Sequence, residues 1–357
     1  MKAASRYFLG NGKHIPCFAH TIHLVVDDSV KEIASFCSIL DKVKKIVMHF
    51  KHSPALMDEL QKAQADEGIP EGCIKTLQQS VDTRWNSCLE MLVSFLSLAN
   101  KVAIILIKRS EKVKGLPEML STDELSTCKD FCSLLNPFKD ATEKISGEKY
   151  VTVSMVIPLI SLLLKKMQIA KVESADGILA QDSLHKQLEK RCKPLELNKV
   201  LVKSSFLDPR FKKMYISPIG VQEATKDILQ ELITFTEEKL ISDDENSDDQ
   251  GDSLEKAHNR SIVKVDGSEN RELKMYLSLP QTSWESNPIM FWSSYKAAMP
   301  GLSKLALRYL TTPGSSVPSE RLASAIKCVV CDSRSRMTDT HKTERVFLKS
   351  LNSKYWS

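Results

Sequence analysis

Cys17-Phe18-Ala19-His20 sets a thiol and an imidazole three residues apart, a spacing that could offer two ligands to one zinc ion. A structural zinc site needs four ligands. The available companions are His23 close by and Cys328-x-x-Cys331 near the other end of the chain. Neither arrangement has the spacing of a standard finger. The residues themselves therefore point to an apolar helix face that holds Cys17 and Leu24, with no metal and no cofactor. Cys328 and Cys331 read as buried small residues, since a free cysteine packs like a small hydrophobe. Arg84-Trp85 follows a possible helix cap at Asp82-Thr83. Such a pair could stack on an unpaired base while the guanidinium meets phosphate; the plainer reading is a tryptophan that anchors the next helix. Glu320 lies in Pro313-Gly-Ser-Ser-Val-Pro-Ser-Glu-Arg. There Pro318 suits a first helical turn, and an acid in that turn complements the helix dipole. As a metal ligand for phosphoryl transfer it would need other carboxylates beside it. Asp27-Asp28 is the one tempting pair, and it reads better as a helix surface or end. The chain has no P-loop, no dinucleotide glycine pattern and no serine elbow.

The elements that must position these residues are mostly helices. Phe36, Ile39, Leu40, Val43, Val47 and Phe50 recur at three- and four-residue steps, one face of an amphipathic helix. Ser53-Pro54 breaks that run, because proline disfavours helix at the residue before it. A second run carries Met91, Leu92, Phe95, Leu96, Ala99, Val102, Ala103 and Leu106, and a third Phe131, Leu134, Leu135 and Phe138. A fourth carries Ala224, Ile228, Leu232 and Phe235 and ends in Glu237-Glu238-Lys239. Strand signals are scarce. Cys17 to Val26 could begin as a strand or lie wholly on a helix, and Val151-Thr152-Val153 is a weak strand candidate. The expected fold class is mainly α. Ser242 to Ser261, dense in Asp and Glu with nothing to bury, is expected to be a disordered linker. After it, Pro280, Pro288, Pro300, Pro313 and Pro318 punctuate a separate helical block.

Composition narrows the class further. The chain has 357 residues, enough for two or three domains. With 42% hydrophobic residues it can fill a core, and a net charge of +5 makes the whole chain no general polyanion binder. From Gly301 onward ten Lys and Arg face four acids, so a local +6 exceeds the net charge of the whole chain. Such a tail could meet phosphate or acidic protein, or be a solvated helix surface. Nine cysteines without regular pairing fit a reducing compartment. The stretch from Met1 to Gly12 lacks the charged-then-apolar pattern of a signal peptide. The longest apolar stretch, Val151 to Leu164, is short of the about 20 residues that a bilayer needs. A soluble intracellular protein with no membrane partner is expected.

Taken together, four blocks carry a resemblance. Cys17 to Val26 resembles the Cys-x-x-His block of hAT-superfamily transposases, and Val81 to Leu92 resembles their Arg-Trp block. Phe206-Leu207-Asp208-Pro209-Arg210-Phe211-Lys212 is similar to another shared segment. Leu305 to Ser324, with Ser315-Ser316-Val317-Pro318-Ser319-Glu320-Arg321, resembles the hAT C-terminal dimerisation region. The four blocks stand in the family's order and span nearly the whole chain, which most resembles transposase-derived proteins with BED-type zinc fingers. The resemblance implies a ribonuclease-H-like fold interrupted by a helical insertion, then a C-terminal part that completes the fold and dimerises. It implies an Asp-Asp-Glu set working with divalent metal, in which Glu320 would be the glutamate. Both aspartates are expected upstream of Cys17, so the chain is read as a remnant lacking the first strands. Ala323 stands where an aromatic is frequent in the family and Ile326 where a glycine is frequent.

The expected divisions are a partial ribonuclease-H-like segment at 1–90, a helical insertion at 91–241, an acidic linker at 242–265 and the C-terminal dimerisation region at 266–357. The segment from Met1 to about Leu60 is expected to pack poorly, or to dock on the insertion helices in place of a sheet. The implied function is a catalytically inactive, nuclear, transposase-derived protein. It would form homodimers and act in DNA-associated or transcriptional complexes. Leu302, Leu305, Leu310, Leu322, Val346, Phe347, Leu348 and Leu351 are the candidate dimer contacts, in a block that also holds Trp284, Trp292 and Trp356. Cys17, His20, Arg84 and Trp85 are the candidate nucleic-acid contacts. The alternative is an active metal-dependent nuclease or transposase, should a longer chain supply the aspartates.

Overall fold

Apolar residues at helical spacing account for most of what the computed structural model describes, namely residues 15–81, 85–110, 115–244, 271–329 and 338–350. Of 235–244, 325, 328, 329, 349 and 350 it describes the backbone alone. In chain order the helices are α1 (Phe18–Lys31), α2 (Ala34–Lys51), α3 (Pro54–Ala65), α4 (Trp85–Ser110), α5 (Thr122–Ile145), α6 (Val156–Ile169) and α7 (Ala175–Glu196). They continue as α8 (Lys199–Phe206), α9 (Pro218–Asp244), α10 (Arg271–Ser278), α11 (Pro288–Ser294), α12 (Pro300–Leu310), α13 (Val317–Val329) and α14 (Asp339–Ser350). Among the described residues there is no strand, and the fold is mainly α. Cys17 to Val26 lies on α1 from Phe18 onward. Val151-Thr152-Val153 is not a strand: it is a buried lead into a short 3-10 turn, Val153–Met155, with no neighbouring strand to pair with. α9 runs to Asp244, three residues into the stretch expected to be linker; the rest of that stretch lies outside the described residues.

The chain forms two compact units, each assembled from separated segments. The helical unit comprises His20–Glu143 and Leu159–Glu196. Its core is drawn from the sequence periodicity: α2 buries Phe36, Ile39, Leu40, Val43, Ile46, Val47 and Phe50. Pro54 opens α3 at a position where a missing N–H costs nothing. α4 buries nine residues from Leu89 to Leu106. Its length and composition would allow it to cross a membrane. Here Lys101, near its centre, pairs with Glu67 at 2.6 Å, the arrangement of a core helix with one wetted side. α5 starts in a capping box: Ser121 N–H donates to Glu124 (2.9 Å) and Glu124 N–H donates to the Ser121 hydroxyl (3.2 Å). Lys42 adds an ion pair to the same carboxylate at 2.7 Å. Asp130 accepts from the N–H and hydroxyl of Ser174 (2.7 and 2.6 Å), fixing the entry to α7. Burial pushes the thiols of Cys128, Cys132 and Cys192 up to about 12, so they pack as small hydrophobes.

Of the two arrangements expected for the segment ending at about Leu60, its described part shows docking on helices and not poor packing. Ile22, Val25, Phe36, Val43, Phe50 and Leu60 are buried, so the described part of the segment ending at Leu60 is well packed. Its helices α2 and α3 pack on α4, and Phe36 stacks on Phe131 of α5. An apolar helix face needs an apolar partner and not specifically a sheet; here helices from the range 91–241 supply it.

The C-terminal unit comprises Met1–Ala19, Lys144–Pro158 and Leu197–Ser357. Its centre is the segment Phe206–Lys212. Asp208 is fully buried and pairs with Arg210 at 2.7 Å, while the Ser154 hydroxyl donates to the same carboxylate at 2.6 Å. Lys212, in the left-handed region at φ 48°, donates to the carbonyls of Tyr276 (2.7 Å) and Leu279, closing the carbonyl end of α10. Trp292 donates its indole N–H to Leu207 O (2.8 Å), and the Tyr276 hydroxyl donates to Phe206 O (2.9 Å). Here α10, α11 and α12 gather on the Phe206–Lys212 segment, with Trp292, Tyr276, Leu302, Leu305 and Leu310 all buried.

Candidate self-association surface

Within the C-terminal unit, α13 and α14 form an arm. The N-terminus of α13 is set by Ser316, whose carbonyl accepts the Glu320 N–H (3.0 Å) and whose hydroxyl donates to the Glu320 carboxylate (2.7 Å). Pro318 sits in the first turn, and the Glu320 charge faces the positive helix end. α14 begins at Thr338: its carbonyl accepts from Lys342 N–H (3.0 Å), and Asp339 supplies an acid in the first turn. The two helices pack on each other. Between them lies an open apolar groove of ≈ 540 Å³, floored by Leu322, Ile326, Val346 and Phe347 and rimmed by Asp339, Lys342 and Thr343. Phe347 is 61% exposed, Leu322 47% and Leu348 43%. Scattered exposed apolar residues are ordinary; four lining one groove, with a half-uncovered phenylalanine, mark an interaction surface.

The eight sequence-derived dimer contacts therefore separate. Leu302 and Leu305 are fully buried and Leu310 is 1% exposed, so they serve the core of their own unit and have no side chain to offer a partner. Leu322, Val346, Phe347 and Leu348 lie on the arm, and Leu351 lies outside the described residues. Trp284 and Trp292 are likewise used internally: Trp284 stands edge-on to Phe211 at 5.1 Å, and Trp292 is buried. Trp356 lies outside the described residues. Ile326 was not among the expected contacts. Its spacing of four from Leu322 on one helix was the signal available for it.

The loop that mounts the arm is tied down by residues far away in sequence. Gly314 N–H donates to the Thr152 hydroxyl (2.9 Å), and its carbonyl accepts from Phe18 N–H (3.2 Å). A side chain at Gly314 would meet Ile145 Cδ1 and the Thr152 carbonyl, both at 2.9 Å, so the close approach requires glycine. The Ser315 hydroxyl donates to Ile145 O (3.0 Å), and Ser316 N–H donates to the Cys17 sulfur (3.2 Å). Arg321 Nη1 donates to Ser146 O (2.9 Å) and to the Glu148 carboxylate (2.8 Å).

The remaining candidates fall elsewhere. Cys17 is occupied as the acceptor for Ser316, while His20 is exposed and its ring stacks on His23 at 5.9 Å between centroids. Cys331 lies outside the described residues, as does the side chain of Cys328. Trp85 opens α4, half-buried, and lines a cavity of ≈ 130 Å³ with His23, Asp27, Phe36, Lys44 and Cys88. Asp82, Thr83 and Arg84 lie outside the described residues. In the helical unit Asp27 pairs with Lys31 at 2.7 Å, and Asp28 pairs with Arg191 of α7. Glu320 is exposed and bonded to Ser316. Among the described residues no three His, Cys, Asp or Glu side chains are grouped to hold a metal ion, around Glu320 or elsewhere. These residues do not form the metal site that an Asp-Asp-Glu set would require.

Comparison with known proteins agrees with this architecture. Residues 15–134 match the ZBED1 RNase-like helical domain, and residues 272–351 match the hAT family C-terminal dimerisation region. The human "Zinc finger BED domain-containing protein 4" is 25% identical over 354 residues, covering 96% of this chain and 30% of the relative. The mouse "Zinc finger BED domain-containing protein 6" is 24% identical over 353 residues, covering 87% of this chain and 35% of the relative. The maize protein named "Putative AC transposase" is 26% identical over 366 residues, covering 91% of this chain and 42% of the relative. The chain thus spans between 30% and 42% of the length of these relatives. With both family regions present in order, the chain is a relative of the hAT transposases and of the BED zinc-finger proteins.

Proposed function

We propose that the chain is a non-catalytic self-association module of a nuclear, transposase-derived protein, pairing two copies through the α13–α14 groove within DNA-associated or transcriptional complexes. The observation that carries this reading is the groove itself, lined by exposed Leu322, Ile326 and Phe347 and half-buried Val346, inside the region matching the hAT dimerisation family. A two-fold pair would place each Phe347 in the other copy's groove, an isologous contact that closes on itself. The relatives' printed names, which include BED zinc fingers and a transposase, support a DNA-associated setting and a nuclear location. For contact with nucleic acid the exposed His20 is the best placed of the proposed residues, with the half-buried Trp85, which lines its cavity, second. The non-catalytic reading is supported by Glu320, which is exposed and engaged by the Ser316 hydroxyl at the start of α13.

Light scattering on the full chain tests the proposal. Two copies are expected for the unmodified protein and one for Phe347→Asp, with helical content unchanged. A Phe347→Asp protein that stays paired removes the groove as the interface. The nuclease alternative predicts magnesium-dependent nicking of duplex DNA that Glu320→Gln abolishes; nicking of that kind by this chain would overturn the non-catalytic reading.

A further inference from the structure

We propose that Arg321 is a positioning residue for self-association, holding the α13–α14 arm at the angle in which its groove faces a second copy; this rests on the reading of the groove as the pairing surface. Past Arg321, none of the described side chains of the arm is buried: Leu322, Ala323, Ser324, Ile326 and Lys327 are exposed on α13, as are Phe347 and Leu348 on α14. The described anchorage of the arm is therefore the stretch from Gly314 to Arg321. Gly314, Ser315 and Ser316 fix the loop, through Thr152, Phe18, Ile145 and Cys17. A loop fixed at one point leaves a rigid helix free to swing about it. The swing is resisted one turn further on, where Arg321 reaches back to Ser146 O at 2.9 Å and to the Glu148 carboxylate at 2.8 Å. Leu322, next to Arg321, lines the same groove as Phe347, so a swing of α13 about the loop turns the whole groove with it.

The energy at stake is modest, since Arg321 and Glu148 are 54% and 49% exposed at their side chains and such pairs contribute little in isolation. Its effect on pairing is magnified by symmetry. Apparent affinity falls with the fraction of each copy that is correctly poised. A two-fold pair needs both copies poised, so that fraction enters squared. If reversal of the charge lowers the poised fraction to about one third, the dissociation constant rises about tenfold.

The test is sedimentation equilibrium on the full chain as unmodified protein, Arg321→Glu, the exchanged pair Glu148→Arg with Arg321→Glu, and Phe347→Asp, each with its thermal unfolding midpoint. Arg321→Glu is expected to weaken pairing about tenfold with the midpoint unchanged. The exchanged pair is expected to recover most of the loss, falling short because a glutamate cannot donate to Ser146 O. Pairing by Arg321→Glu as tight as in the unmodified protein overturns the positioning role while Phe347→Asp can still uphold the groove. A loss that the exchanged pair does not recover, or one that comes with a lowered midpoint, also overturns it, as a general structural effect. An unmodified protein that stays single overturns the groove reading itself, a result that the other three proteins could not produce.

Discussion

Asp208 and Arg210 stand two residues apart, and both are buried among carbonyls: Arg210 also donates to Trp284 O at 3.3 Å and to Val151 O at 3.5 Å. One guanidinium thus ties the 3-10 turn, the Phe206–Lys212 segment and the approach to α11 together. A buried pair is weak evidence of net stabilisation, yet removing one partner leaves a charge with no water to turn to. Asp208→Asn is therefore expected to lower stability by about 3–5 kcal/mol. Urea unfolding followed by tryptophan fluorescence measures it, since Trp284 and Trp292 both lie in this unit. A loss below about 1 kcal/mol would mean that Ser154 and the surrounding carbonyls hold the guanidinium unaided. The family resemblance marked this segment in the sequence, but its role is visible only with its partners. Those partners lie more than fifty residues away on either side, where no local pattern could point to them.

Helix termini show how a sequence signal becomes stability. The Lys42 hydrogen bond and the Ser121 backbone hold the Glu124 carboxyl below the usual carboxylate range. A depressed folded pKa means a contribution that is full above the unfolded value, about 4.3, and lost as pH falls through the folded value. Glu124→Ala should thus cost about 1 kcal/mol at neutral pH, mostly from the lost cap. The difference from the unmodified protein should shrink toward pH 3, a trend that paired denaturation curves at both pH values would show. Equal differences at both would assign the whole effect to packing. The elements themselves were largely legible: the runs at Phe36, Met91 and Phe131 are the buried faces of α2, α4 and α5. Periodicity says which face is apolar but not what covers it. Leu302, Leu305 and Leu322 look alike in sequence, yet α12 is covered by its own unit and α13 is not. Pro313 and Pro318 punctuated the sequence around Gly314, but its ties to Phe18 and Thr152, 296 and 162 residues away, left no local trace.

At the scale of the whole chain, the two units do not follow the order of the sequence. The C-terminal unit takes residues from before Ala19, from 144–158 and from 197 onward, so no single cut separates it intact from the helical unit. That constrains how self-association can be mapped by truncation. A chain ending at Ser283 would lose Trp292, Leu302, Leu305 and Leu310 from the core, together with the indole bond to Leu207. Deleting that much apolar burial removes several times the about 2–5 kcal/mol that one large-to-small core change costs. The C-terminal unit should then be unfolded, and the loss of pairing would say nothing about the groove. A chain ending at Arg321 keeps the buried residues of α10, α11 and α12 and the anchorage from Gly314 to Arg321, and drops residues 322–357, none of whose described side chains is buried. It should unfold at the same urea concentration as the full chain and behave as a single copy in light scattering. Pairing that survives in this shorter chain would place the interface on the body of the molecule. Loss of folding in it would mean that the arm, for all its exposure, supports the core from which it projects.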